Sequence, residues 1–157
     1  MSDKLNIKIK LAKQMRIATR PLMEAISKDL KTVIDERFRT STAPDGSQWA
    51  GITHRTGRPL WVTGKLARSF KRSYNKDRAE IGTNDIRARI HNYGGVIKAK
   101  NKPYLHFKIG NSWVKVKQVK IKARPFIGFN QHIINKYTQM ISEYYEKEIN
   151  KKIGGAE

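Results

Sequence analysis

Cysteine is absent, which rules out disulfides, thiolate metal ligands and thiol catalysis and fits a chain made in the cytosol. Long apolar runs are also missing. None approaches the roughly 20 residues a membrane span needs, and Met1-Ser2-Asp3-Lys4-Leu5 lacks the apolar core of a secretion signal. Acidic residues are scarce: 13 Asp and Glu stand against 33 Lys and Arg, for a formal net charge of +20. Between Asp85 and Glu143 there is none at all, while Arg87, Arg89, Lys98, Lys100, Lys102, Lys108, Lys115, Lys117, Lys120, Lys122, Arg124 and Lys136 fall in that stretch. One-sided charge over such a length exceeds what solubility requires and points to a polyanionic partner, either an acidic protein surface or nucleic acid.

What is present fits one domain: 157 residues with an ordinary apolar share of 38%. Residues 1–20 read as a basic arm, residues 21–153 as a single α+β domain, and residues 154–157 as a tail. Leu22, Ile26, Leu30, Val33, Ile34 and Phe38 recur at helical spacing, predicting an amphipathic helix of about four to five turns from near Thr19 or Arg20. Residues 39–63 read as irregular. Pro44-Asp45-Gly46 is turn chemistry, and Trp49 and Trp61 bracket a loop that they anchor to the core.

The middle of the chain reads as antiparallel strands. Residues 69–74 and 79–83 flank a turn at Asn75–Arg78. Residues 86–91 alternate with period two, predicting a half-buried strand with Ile86, Ala88 and Ile90 inward. A long hairpin over 96–119 follows, with Tyr104, Phe107 and Ile109 set against Trp113, Val114, Val116 and Val119. Its polar face carries lysine, which also deters edge-to-edge pairing. Asn130 is placed to cap a final helix bearing Ile133, Ile134, Tyr137, Met140, Ile141, Tyr144, Tyr145 and Ile149, with Gly154 as its stop. The expected fold is thus an antiparallel sheet with a long basic β-hairpin, packed by an N-terminal and a C-terminal helix.

Catalytic chemistry finds little to work with. Asp45 and Asp77 lie in turns, where Asp is common for backbone reasons. Glu143, Glu146 and Glu148 alternate with lysines on a solvated helix face. His54, His91, His106 and His132 sit in separate elements at no metal-ligand spacing, and no phosphate loop, nucleophile elbow or zinc helix appears. No catalytic, cofactor or metal residue is expected, and the protein reads as a non-enzyme. Lysines interleaved with Tyr104, Phe107 and Trp113 would also serve non-specific DNA binding, although no recognition helix, zinc finger or aromatic RNA-binding sheet is legible.

Four segments carry a family resemblance. They are Phe38 followed by Pro44-Asp45-Gly46-Ser47-Gln48-Trp49; Leu60-Trp61-Val62-Thr63-Gly64-Lys65-Leu66-Ala67-Arg68-Ser69-Phe70; Ile81-Gly82-Thr83-Asn84 with His91-Asn92-Tyr93-Gly94-Gly95; and Ile121-Lys122-Ala123-Arg124-Pro125-Phe126-Ile127-Gly128-Phe129. In this order they resemble the phage virion morphogenesis family, the tail completion proteins of Mu-like and related phages. Physically they read as scaffold: Asp45, Gly46, Trp49, Thr63, Gly64, Leu66, Tyr93, Gly94, Gly95, Arg124, Pro125 and Phe126, with Phe126, Ile127 and Phe129 entering the core.

The resemblance implies a virion subunit made in the host cytoplasm and resident at the tail or neck. Copies would form a ring, six-fold by expectation, against tail terminator or tube proteins and head–tail connector proteins. No membrane is involved. Lys98, Lys100, Lys102, Lys108, Lys115, Lys117 and Lys120 are the expected partner-binding residues, with non-specific contact to genomic duplex DNA in the neck as a further expectation. The alternative function is a non-specific basic DNA-binding protein.

Overall fold

The structure is a computed structural model that describes residues 6, 8–10 and 13–154. Within the expected arm, positions 1–5, 7, 11 and 12 lie outside the described residues, as do 155–157 of the expected tail. The architecture is α+β, with helices toward both ends and small antiparallel ladders between them. Helix α1 spans Arg20–Thr40, a short helical turn α2 spans Lys65–Arg68, α3 spans Arg87–Tyr93 and α4 spans Gln131–Gly154. The strands are β1 (Lys71–Tyr74), β2 (Ala79–Gly82), β3 (Gly95–Lys98), β4 (Leu105–Ile109), β5 (Ser112–Val116) and β6 (Gln118–Ile121). They pair as three two-stranded ladders, β1–β2, β3–β6 and β4–β5.

Backbone contacts group the chain into two compact units. One comprises residues 1–30, 72–80 and 129–157, the other residues 31–71 and 81–128. In the first unit Leu22, Ile26 and Leu30 of α1 and Ile133 of α4 are buried, as the helical spacing predicted. Ile17 and Ile149 form a small cluster with Met15, Tyr144 and Tyr145. The Tyr144 hydroxyl donates to the Ala18 carbonyl at 2.6 Å, and Lys8 pairs with Glu146 at 2.7 Å, so part of the N-terminal segment lies along α4. Asn130 caps α4 as expected, its Oδ1 accepting the Ile133 N–H at 2.9 Å. The helix runs through Gly154, the residue assigned as its stop.

The second unit holds an aromatic core. Phe38, Phe70 and Phe126 are buried together with Trp49, Leu66, Ala67 and Ala88. The Phe126 ring lies 5.0 Å from Phe38, 5.5 Å from Phe70 and 6.3 Å from Trp49, centroid to centroid, the last two edge to face. Tilted and edge-on rings put the positive edge of one quadrupole toward the negative face of another.

Several local expectations change. Helix α1 is 21 residues long, about six turns, running two residues past Phe38 until Ser41 takes a positive φ of 59°. Residues 87–91 belong to α3, not to a strand: Ile86, which caps the helix, is 90% exposed, and only Ala88 of the three residues expected inward is buried. Ile127 and Phe129 lie at the surface while Phe126 alone of that run reaches the core.

Candidate assembly interface

The expected binding region is a two-part hairpin. At its base β3 pairs with β6 in the register Gly95↔Ile121, Val96↔Lys120, Ile97↔Val119 and Lys98↔Gln118. At its tip β4 pairs with β5, with His106 opposite Lys115, Phe107 opposite Val114 and Lys108 opposite Trp113. Between the two ladders the Ala99 N–H donates to the Lys117 carbonyl at 3.1 Å, so residues 96–119 form one continuous arm with bends at 100–104.

Alternation in a strand assigns each residue a face. On one face of the tip Leu105, Phe107, Ile109, Val114 and Val116 are half-buried; on the other His106, Lys108, Trp113 and Lys115 are exposed. Trp113 therefore joins the lysine face instead of the apolar stripe, with its ring 4.6 Å from that of His106. Tyr104 is exposed too, in the bend. Lys98 and Lys120 sit on the base ladder, Lys100 and Lys102 in the bend, Lys117 between β5 and β6. All seven lysines are exposed. No residue from 86 to 142 is acidic, so no carboxylate within the arm neutralises them.

The scaffold residues converge below the arm, on segment 124–126. The Trp49 indole N–H donates to the Pro125 carbonyl at 2.7 Å. The Arg124 guanidinium donates to the Ala50 and Gly51 carbonyls at 2.8 and 2.9 Å. Asp45 closes the turn that presents Trp49: its Oδ1 accepts from the Ser47 N–H at 2.9 Å and from the Ser47 hydroxyl, bonds that hold its carboxyl below the usual carboxylate range. Thr63 and Gly64 precede α2, which places Leu66 in the aromatic core.

Gly94 adopts φ 71°, and a Cβ there would meet the Ala123 nitrogen at 2.8 Å and the Ile121 carbonyl at 3.0 Å. Only glycine lets the chain turn from α3 into β3 at that closeness. Gly95 follows at the start of β3. Tyr93 is the exception among the scaffold residues, with its ring turned to solvent.

Two residues outside the expected set turn out to hold this site. Asn92 is buried, and its Oδ1 accepts the N–H groups of both Phe126 and Ile127 at 2.9 Å. Arg37 is buried as well and donates to the Phe126 carbonyl at 2.8 Å and the Gly128 carbonyl at 2.9 Å. Together they satisfy the polar backbone of a segment that has no strand partner. Asn92 lay inside the quoted His91–Gly95 run, where Tyr93 took the emphasis. A polar residue directly before an exposed tyrosine and two glycines is a usable signal. Arg37 carried none, since its neighbours Ile34 and Phe38 already account for the helix face.

His54 and His91 line the same clefts, while His106 and His132 lie elsewhere. His91 sits in α3, where its carbonyl accepts the Arg124 N–H at 2.8 Å. Burial pushes the His91 imidazole below the ordinary histidine range, and the cations Arg124 and Arg87 add to this against the opposing pull of Asp85. Asp85 is itself held down to about 2, chiefly by its hydrogen bonds with the Arg87 side chain and backbone. Among the described residues no cluster of three or more His, Asp or Glu could hold a metal ion, and no helix is long and apolar enough to cross a membrane.

Comparison with known proteins supplies the last observations. Residues 5–149 match the phage virion morphogenesis family. A curated relative, the Mu-like prophage FluMu G protein 2 of Haemophilus influenzae, is 31% identical over 107 residues. The aligned region covers 68% of this chain and 64% of the relative's length. No solved structure matches.

Proposed function

Because the chain belongs to the phage virion morphogenesis family, we propose that it is a structural virion subunit that completes the tail of a phage and joins it to the head. Copies of the chain associate in a ring, six-fold by expectation, at the neck, and no bond in a substrate is made or broken. The observation that supports this reading is the division of labour within residues 31–128. An aromatic core holds the scaffold, and an arm whose seven lysines have no carboxylate near them in sequence is left exposed.

The arm's partners are acidic surfaces of tail terminator, tube or connector proteins. A protein partner suits the task better than DNA, because DNA must slide through the neck on ejection and a phosphate-gripping lumen would hold it back. Reversing Lys115, Lys117 and Lys120 to Glu tests the assignment. The subunit is expected to fold normally while heads and tails accumulate unjoined; normal infectious particles would overturn it. The second reading, non-specific DNA binding, rests on Trp113 and His106 being exposed among the lysines. Salt-dependent binding of duplex DNA by the free subunit would favour it.

A further inference from the structure

Two clefts open in the scaffold, one of about 200 Å³ and one of about 490 Å³, the larger reaching the arm at Phe107, Lys108, Ile109 and Val119. They share Ile52, His54, His91 and Arg124, so they form one groove. At one end it is lined by Arg55, Lys65 and Arg87, at the other by Lys108, Lys120 and Lys122. Among the described residues no Asp or Glu lines either part.

The floor is apolar: Leu60 and Val62 in the smaller part, Phe107, Ile109 and Val119 in the larger. Val62 is 74% exposed, a large apolar side chain left open beside a row of cations. That combination is not a solvated charged face, which would alternate with carboxylates and would not expose Val62 in the same cleft.

Two of these cations are fixed in place without being neutralised. Arg124 is anchored by the Ala50 and Gly51 carbonyls, and Arg55 by the Thr56 and Arg58 carbonyls at 2.9 and 2.8 Å. Carbonyl oxygens orient a guanidinium but carry no net charge to offset it. Arg87 is paired with Asp85, so the uncompensated charge is concentrated on Arg55, Lys65, Arg124 and the three lysines. Burial first, and the nearby Arg55 second, push the Arg124 guanidinium below its usual range. Pre-oriented donors with unmet charge bind anions with little reorganisation.

From the groove's charge and apolar floor we infer that it is a docking site for an extended acidic segment of a partner protein. The segment's carboxylates would meet Arg55, Lys65, Arg124 and Lys122 while its apolar side chains cover Val62 and Phe107. The inference rests on the reading of this chain as an assembly subunit with an acidic protein partner, and it names the part of the surface that reads that partner. Charge complementarity selects the occupant. A polynucleotide would match the cations, but it has no alternating apolar side chains for the floor.

The test uses the full chain and a fluorescently labelled short peptide of mixed glutamate and leucine, with all-glutamate peptide and duplex DNA as competitors. Lys65→Glu with Lys122→Glu reverses charge at both ends of the groove on exposed side chains, and an unchanged urea midpoint certifies folding. The expected result is a loss of peptide affinity of about tenfold or more, with a smaller loss for Lys98→Glu, Lys115→Glu, Lys117→Glu, which lie outside the groove. All-glutamate peptide is expected to compete more weakly than the mixed one. Peptide binding that ignores the Lys65 and Lys122 reversals, or DNA that displaces the mixed peptide more strongly than all-glutamate does, would overturn the groove. The underlying assembly reading fails separately, when particles carrying the Lys115, Lys117 and Lys120 reversals join normally whatever the peptide does.

Discussion

Residues 95–121 and residues 122–128 follow one another in the chain, and both lie beside α3, yet they are stabilised in opposite ways. The arm is a pair of ladders whose backbone groups satisfy each other and whose side chains are half-buried at most. The segment after it has no ladder: Asn92, Arg37 and Trp49 bond its backbone, and Phe126 fills the aromatic core. The segment spends Phe126 on the core and takes its backbone bonds from residues far away in sequence. The arm pairs its backbone within itself and leaves its lysines exposed. Substitutions in the two should therefore separate folding from assembly.

The largest effect is expected at Phe126. Truncation to Ala removes a fully buried ring that meets three others, and should lower stability by about 3–5 kcal/mol in urea unfolding. A loss below about 1 kcal/mol would mean that the aromatic cluster does not organise the fold. Asn92→Ala should cost about 2–3 kcal/mol, because two backbone N–H groups lose their acceptor at once. Wild-type stability there would mean that the segment finds other acceptors.

Gly94→Ala combines a positive φ with close backbone contact and should cost about 1–3 kcal/mol. By contrast, reversing Lys115, Lys117 and Lys120 should change stability by no more than about 0.5 kcal/mol per site while head–tail joining is lost. A large drop in the unfolding midpoint of that variant would erase the distinction between arm and scaffold.

The smallest effect concerns His91, at the junction of the two regions. Its pKa is depressed in the folded chain, so the unfolded chain binds the proton more readily. Stability from the neutral ring is full above the unfolded value near 6.5 and declines as pH falls toward the folded value. An NMR titration should find the His91 midpoint below the ordinary histidine range. A midpoint at or above 6.5 would show that burial and Arg124 do not act on the ring as placed here.

The sequence was most legible where one period dominates over many residues. α1 and α4 carry apolar stripes of several turns, and the Asn130 cap was readable as a side chain with an acceptor ahead of such a stripe. The arm's alternation was readable for the same reason. Residues 86–91 were misread because Ile86, Ala88 and Ile90 satisfy a period of two over a run too short to exclude a helix. Of those three only Ala88 is buried, and Ile86 is left outside. Trp113 was assigned to the apolar stripe by residue type, but the register pairs it with Lys108 on the other face.

By itself the sequence determined the class of fold, the two long helices, the hairpins and the concentration of positive charge, because each depends on residues near one another in the chain. Tertiary structure alone decided that Asn92 and Arg37 would hold the backbone around Phe126, and that cations from loop, helix and arm would line one groove. Those outcomes join residues far apart in sequence, where a hydrogen bond or a shared cleft is set by the packing of elements and leaves no periodic trace.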